Sequence, residues 1–266
     1  MSQLSMWRRG ALIASALVAV SVPVSAQTPP SDAVSSQAQL VPVVQPTAPP
    51  SRAFGDMFKE ALIDFRRLPT SDAASILALG GVAALIGHSG DREVSAALSG
   101  SDEMAQLLGP GRHIGAPYFQ IGGAFATYAI GRVAGSAETA AAGADLVRAG
   151  LVVQALSHAI KVSTQRSRPD GTAFSFPSGH TASSFAAAAV LQRHYGWKAG
   201  VPAYAVATYV GASRIQQRRH YLSDVAFGAA LGIVAGRTVT MGVGGHRVDV
   251  SPIASPAGGG VNFSVR

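Results

Sequence analysis

From Arg52 to Leu68, Phe54, Met57, Phe58, Ala61, Leu62 and Phe65 recur at helical spacing, with Arg52, Lys59, Arg66 and Arg67 elsewhere around the wheel. The pattern predicts an amphipathic helix, either docked on a core or lying on an anionic lipid surface. Pro69 ends it, and Thr70, Ser71 and Asp72 offer caps for the next helix. Ala73 to Gly90 is charge-free and rich in Ala, Leu and Gly. Ile114 to Gly131 is a second such stretch, interrupted by Pro117 and Gln120. Between them Asp91 to Arg112 is polar and predicts a short helix and a loop. Three shorter apolar runs follow: Ala149 to Ile160 between Arg148 and Lys161, Ala199 to Ser213 between Lys198 and Arg214, and Val225 to Gly236 between Asp224 and Arg237. Runs of about 12 residues suit a globular core and fall short of a bilayer. The pattern therefore leaves both a soluble bundle and a membrane-embedded one open. Beyond Arg237 the period changes: Val248, Val250, Val261, Phe263 and Val265 alternate about a Ser/Pro/Gly-rich turn, which predicts a terminal hairpin. The fold expected is all-α, a helical bundle with a small C-terminal β-hairpin.

The N-terminal pattern is of another kind. Arg8 and Arg9, an apolar run from Ala11 to Val22 and the small residues Val24-Ser25-Ala26 predict a secretory signal peptide over 1–26. An uncleaved anchor is the alternative. Gln27 to Ser51, rich in Pro, Ser, Ala and Val, predicts a disordered linker. The helical domain then covers 52–240 and the tail with its hairpin 241–266.

With 48% hydrophobic and only 13% charged residues the chain is greasy, against an ordinary charged share of about 25%. Its net charge of +7 comes without a basic patch interleaved with aromatics, so nucleic acid is not the expected partner. Anionic lipid head groups or phosphorylated substrates account for the charge more simply. No cysteine is present, which excludes disulfides and thiol chemistry. His88, His113, His158, His194 and His246 are scattered without metal-ligand spacing and read as structural, so no metal or cofactor is expected.

Candidate chemistry gathers around Phe176-Pro177-Ser178-Gly179-His180-Thr181, a turn that runs into a small-residue helix. The unpaired first amides of such a helix can point at an anion, and glycine lets it approach, so Ser178, Gly179 and His180 form a phosphate cradle in outline. A capped and buried helix start is the plain alternative. Upstream stand Lys161 and, after six residues, Arg168-Pro169; downstream stand Ser213-Arg214, then His220, then Asp224. The spacing of four puts His220 and Asp224 on one helix face, where a carboxylate can take the proton of one ring nitrogen and leave the other nucleophilic.

Those three blocks, Lys161-x6-Arg168-Pro169, Pro177-Ser178-Gly179-His180 and Ser213-Arg214-x5-His220-x3-Asp224, resemble the tripartite signature of the type 2 phosphatidic acid phosphatase superfamily. That group includes bacterial lipid phosphatases, class A nonspecific acid phosphatases, glucose-6-phosphatase and vanadium haloperoxidases. The resemblance covers residues 145 to 240. It implies a metal-free covalent mechanism in which His220 attacks phosphorus, Asp224 holds its tautomer, and His180 protonates the leaving alkoxide and then activates water. Lys161, Arg168 and Arg214 would neutralise the phosphoryl oxygens, with Ser178 and Gly179 adding hydrogen bonds. The substrate implied is a lipid phosphate such as phosphatidic acid or an isoprenyl diphosphate. A soluble periplasmic acid phosphatase, a haloperoxidase and a catalytically dead envelope binding protein are the alternatives. Localisation follows the signal peptide: export to the periplasm, in association with the inner membrane, with the site facing the periplasm. Oligomeric state is not legible.

Overall fold

A computed structural model describes residues 55–241, 243, 248–255 and 258–265. The expected signal peptide and linker lie outside the described residues. Among these, helices follow one another as α1 (Asp56–Arg67), α2 (Ser71–Ser89), α3 (Asp91–Ser99), α4 (Asp102–Leu108), α5 (Gly111–Ile114), α6 (Pro117–Val133), α7 (Ala137–Thr164), α8 (Gly179–Tyr195), α9 (Trp197–Gln216) and α10 (Leu222–Val239). Helix α8 is central, packed against α7, α9 and α10; α2 lies on α10 and α6 on α7. Thr70 caps α2 by accepting the amide of Ala73 at 3.1 Å, as its place after Pro69 predicts.

Small side chains let the central helices meet closely. Ala149, Val152 and Val153 of α7, Ala182, Ala186 and Val190 of α8, and Leu231, Ala235 and Val239 of α10 form one buried cluster. At Gly232 even a methyl group would lie 2.2 Å from the carbonyl oxygen of Ala182, so α10 touches the backbone of α8 there.

The apolar runs do not set the helix lengths. Helix α7 has 28 residues, α9 has 20 and α10 has 18, well beyond the expected dozen. Arg148 and Lys161 sit inside α7 rather than at its ends because both find partners. The Arg148 guanidinium, 1% exposed, donates to the buried Asp64 of α1 through Nε at 2.9 Å and Nη2 at 2.6 Å, and through Nη1 to Asp145 at 2.7 Å. That buried pin also settles how α1 packs: Met57, Ala61 and Asp64 face the bundle, while Leu62 and Ile63 stay exposed with Lys59, Arg66 and Arg67. Helices α2, α7 and α10 are each long and apolar enough to cross a membrane. The 19 residues of α2 span about 28 Å at ~1.5 Å per residue, close to a hydrocarbon core.

Helix α2 runs antiparallel to α10. Asp72 at its start pairs with Arg237 at 3.0 Å, and Gly87 near its end adjoins Leu222. The polar stretch after α2 forms three short helices, α3 to α5, rather than the single helix and loop expected. The expected C-terminal β-hairpin is not supported as part of this fold, whose shared architecture is helical. Its paired segments, Val248–Ser255 and Gly258–Val265, include Pro252 and open the second with three glycines, which add no side chains to pack.

Candidate active site

At the end of the bundle that carries α3 to α5, the first turns of α8 and α10 converge. The amide of Ser178 donates to the carbonyl of Asp224 at 3.0 Å, which fastens one helix start to the other. The loop between α7 and α8 folds over this junction. Its turn is closed by the amide of Arg168 on Thr172 O at 2.7 Å and by Asp170, which accepts the Thr172 amide at 2.9 Å and hydroxyl at 2.6 Å. Those two bonds hold the Asp170 carboxyl down to about 2, so it stays ionised toward Arg219 at 2.9 Å.

His220 lies in the turn after α9 and not on a helix, since α10 begins only at Leu222. Amides of Arg219 and His220 return to the carbonyl of Arg214 at 3.1 and 3.3 Å, which explains how five intervening residues bring His220 back over Arg214. The imidazole Nδ1 faces the carbonyl of Ser175 at 2.7 Å, while the nearest Asp224 oxygen is 3.8 Å away. A carbonyl only accepts, so the proton sits on Nδ1 and Nε2 keeps the lone pair. The carboxylate expected to fix this tautomer thus acts at one remove. Asp224 accepts the hydroxyl of the same Ser175, the Tyr221 amide at 2.8 Å and Arg166 Nη1 at 2.6 Å. Burial pushes the His220 imidazole down to about 4, against the pull of Asp224. His180 opens α8 and is pushed down to about 3 by burial first, then by Arg214, His220, Lys161 and Arg168.

The predicted phosphate ligands divide into two groups. Arg168 and Arg214 each keep a buried Nε with no hydrogen-bond partner. Lys161 is engaged instead: its ammonium donates to the carbonyls of Phe174 at 2.8 Å, Ser175 at 3.4 Å and Pro177 at 2.6 Å, so it braces the loop under the cradle. The Ser178 hydroxyl is fully buried and shares a 2.8 Å bond with Thr181. Gly179 is buried, and a methyl there would meet Gln154 Oε1 at 3.8 Å and Lys161 Cε at 3.9 Å, ordinary contacts.

Sequence reasoning missed Ser175, Arg166 and Asp91. Arg166 has a visible signal, since it stands two residues before Arg168 in the first block. Ser175 is read only as loop. Asp91 accepts the amide and hydroxyl of Ser223 at 2.9 and 2.7 Å across 132 positions of chain, a contact that only the fold reveals.

A helix start flanked by two histidines and two guanidinium groups with unpartnered Nε–H is an arrangement able to receive an anion. Residues 142–246, which contain all three blocks in full, match the model of the PAP2 superfamily. Among curated proteins, 80 residues are 50% identical to the lipid A 1-phosphatase of Porphyromonas gingivalis, covering 29% of this chain and 18% of that protein. Over 99 residues the chain is 27% identical to the lipid A 4'-phosphatase of Helicobacter pylori, covering 33% of this chain and 50% of that one. The matches thus span half or less of these relatives. The fold is shared with a transmembrane PAP2-type phosphatidylglycerolphosphate phosphatase from Bacillus subtilis, at 20% identity and a TM-score of 0.51 over 70% of this chain and 94% of that one.

Proposed function

We propose that this chain is a phosphoric ester hydrolase of the PAP2 type that acts on lipid phosphates through a phosphohistidine. The observation that carries the reading is the pair of buried, unpartnered Nε–H groups on Arg168 and Arg214, which an anion between them would satisfy. With a phosphoryl group there, His220 Nε2 attacks phosphorus in line and the bond to the ester oxygen breaks. His180 gives that oxygen its proton. In the second half His180 takes a proton from water, whose oxygen attacks phosphorus and releases Nε2. Burial is the main force on the His180 proton, and the nearby cations add to it; the charge of a phosphate would oppose those cations and favour the protonated ring. Lys161 serves by bracing the loop and by its charge.

Lipid is favoured over a soluble ester by the apolar surface of the helices. Leu79, Leu85 and Ile86 on α2 and Ile130 and Val133 on α6 are more than 60% exposed, a surface suited to hydrocarbon. A groove between α6, α8 and α9, lined by Phe119, Gly123, Ala187, Val206 and Ala207, begins at Ile114 beside Gly115, which adjoins His180. It offers an acyl chain a path away from the phosphate. Helices α2, α7 and α10 would span the membrane, and α1, with Leu62 and Ile63 exposed among Lys59, Arg66 and Arg67, would rest on anionic head groups. Phosphate release from phosphatidic acid in mixed micelles should exceed that from para-nitrophenyl phosphate by at least about 10²-fold in kcat/KM. The reverse preference, from a protein soluble without detergent, would establish the acid phosphatase reading instead.

The depressed His220 imidazole sets the acid limit. Its nucleophilic neutral form persists as pH falls and is lost only through about 4, so kcat/KM should hold from pH 7 to about 5 and fall below that. A pH profile whose acid limb lies at the ordinary histidine value, about 6.5, would contradict this environment.

A further inference from the structure

Arg166 is a fourth cation near the cradle, yet its geometry differs from that of Arg168 and Arg214. Its Nη1 donates to Asp224 Oδ1 at 2.6 Å and to the Ser223 hydroxyl at 2.8 Å. Its Nη2 donates to Asp91 Oδ2 at 2.7 Å. The guanidinium also lies 4.5 Å over the ring of Tyr221. Both terminal nitrogens are therefore committed to carboxylates, one on α3 and one on α10. Asp91, 3% exposed, takes in addition the amide and hydroxyl of Ser223 and lies 3.0 Å from His88 Nδ1. Asp224 in turn holds the Tyr221 amide and the hydroxyl of Ser175, the residue whose carbonyl receives the His220 Nδ1 proton.

We propose that Asp91 and Arg166 form a clamp that positions Asp224, and through Ser175 and Tyr221 fixes the turn that carries His220. Arg166 is then a positioning residue and not a phosphate ligand, and α3 is part of the site's support. Physically, Arg166 neutralises two nearby buried carboxylates that would repel each other, and its planar fork sets the distance between α3 and α10. This inference rests on the phosphatase reading only for its kinetic consequence.

The test uses the full-length protein with Arg166→Gln, Asp91→Asn and the double variant. Amide hydrogen exchange is read at Tyr221 and Ser223, together with kcat, KM and inhibition by inorganic phosphate. Exchange at the Tyr221 amide should quicken by at least about tenfold even in Asp91→Asn, although Asp91 does not touch that amide. Turnover should fall by about 10²-fold, the scale of a misplacement near 1 Å, with KM and phosphate inhibition unchanged within about twofold. The double variant should lose no more than the worse single, because the two act as one unit. Asp91→Glu should recover part of the turnover. Unchanged exchange at Tyr221 would overturn the clamp. Weaker phosphate inhibition with kcat intact would make Arg166 a phosphate ligand, and faster exchange with full turnover would leave it no part in positioning. If Asp91→Asn does not fold, Arg166→Lys, which keeps the charge but loses the fork, is read in the same way. A wild-type protein that releases no phosphate would refute the phosphatase reading, while the exchange data still decide the clamp.

Discussion

Replacing His220 with alanine is expected to lower phosphate release by about 10⁴-fold or more and to leave no acid-labile phosphoenzyme. The loss is that large because the other imidazole at the cradle, His180 at the start of α8, would be occupied with proton transfer in the proposed mechanism, and the arginines and Lys161 are donors only. The fold should survive. The side chain removed makes one hydrogen bond, to Ser175 O, and that carbonyl remains within 3.4 Å of Lys161 Nζ. A melting curve recorded beside the assay separates the two effects. An alanine variant that keeps turnover within about tenfold of the wild type, at unchanged stability, would remove His220 as the nucleophile.

Gly232→Ala should be among the most damaging changes away from the pocket. The added methyl would stand 2.2 Å from Ala182 O and 2.9 Å from both Ala186 N and Phe185 Cβ. Two of those three atoms are backbone, so no rotamer change relieves the clash and α10 must move off α8. Alanine's better helix propensity returns about 1 kcal/mol, against an overpacking cost of about 1–3 kcal/mol or more. A net loss of about 2 kcal/mol is expected from denaturation in detergent. Activity should suffer as well, because α8 carries His180 and α10 begins beside His220. Displacing one start against the other by about 1 Å is enough for a 10²-fold loss. An alanine variant with wild-type melting and turnover would mean that the seam is looser than its geometry implies.

The parts of this molecule that could be read from the chain are those written locally. The helix start at Gly179 was legible because a helix start is a short-range object, and Arg168 and Arg214 stood out as candidates by their spacing from it and from His220. Helix lengths were not legible, because a charge usually marks a boundary and nothing nearby in sequence tells that Arg148 is satisfied by Asp64, 84 positions earlier. The same limit applies to Lys161, whose partners belong to a loop that must first fold back. His220 and Asp224 show the reverse error. Their spacing fits a helix, yet the turn at 217–221 intervenes, and the carboxylate reaches the imidazole through Ser175 instead of directly.

Helix α2 has one more consequence. It starts where α1 ends, at the Asp72–Arg237 end of the bundle, and finishes beside Asp91, under the candidate pocket. A single crossing by α2 would put its Asp72 end and its Asp91 end on opposite sides of the bilayer, whichever way the chain is inserted. This parity ties the ends of the protein together. The expected signal peptide over 1–26 and the expected periplasmic pocket thus constrain each other through the side on which α2 begins.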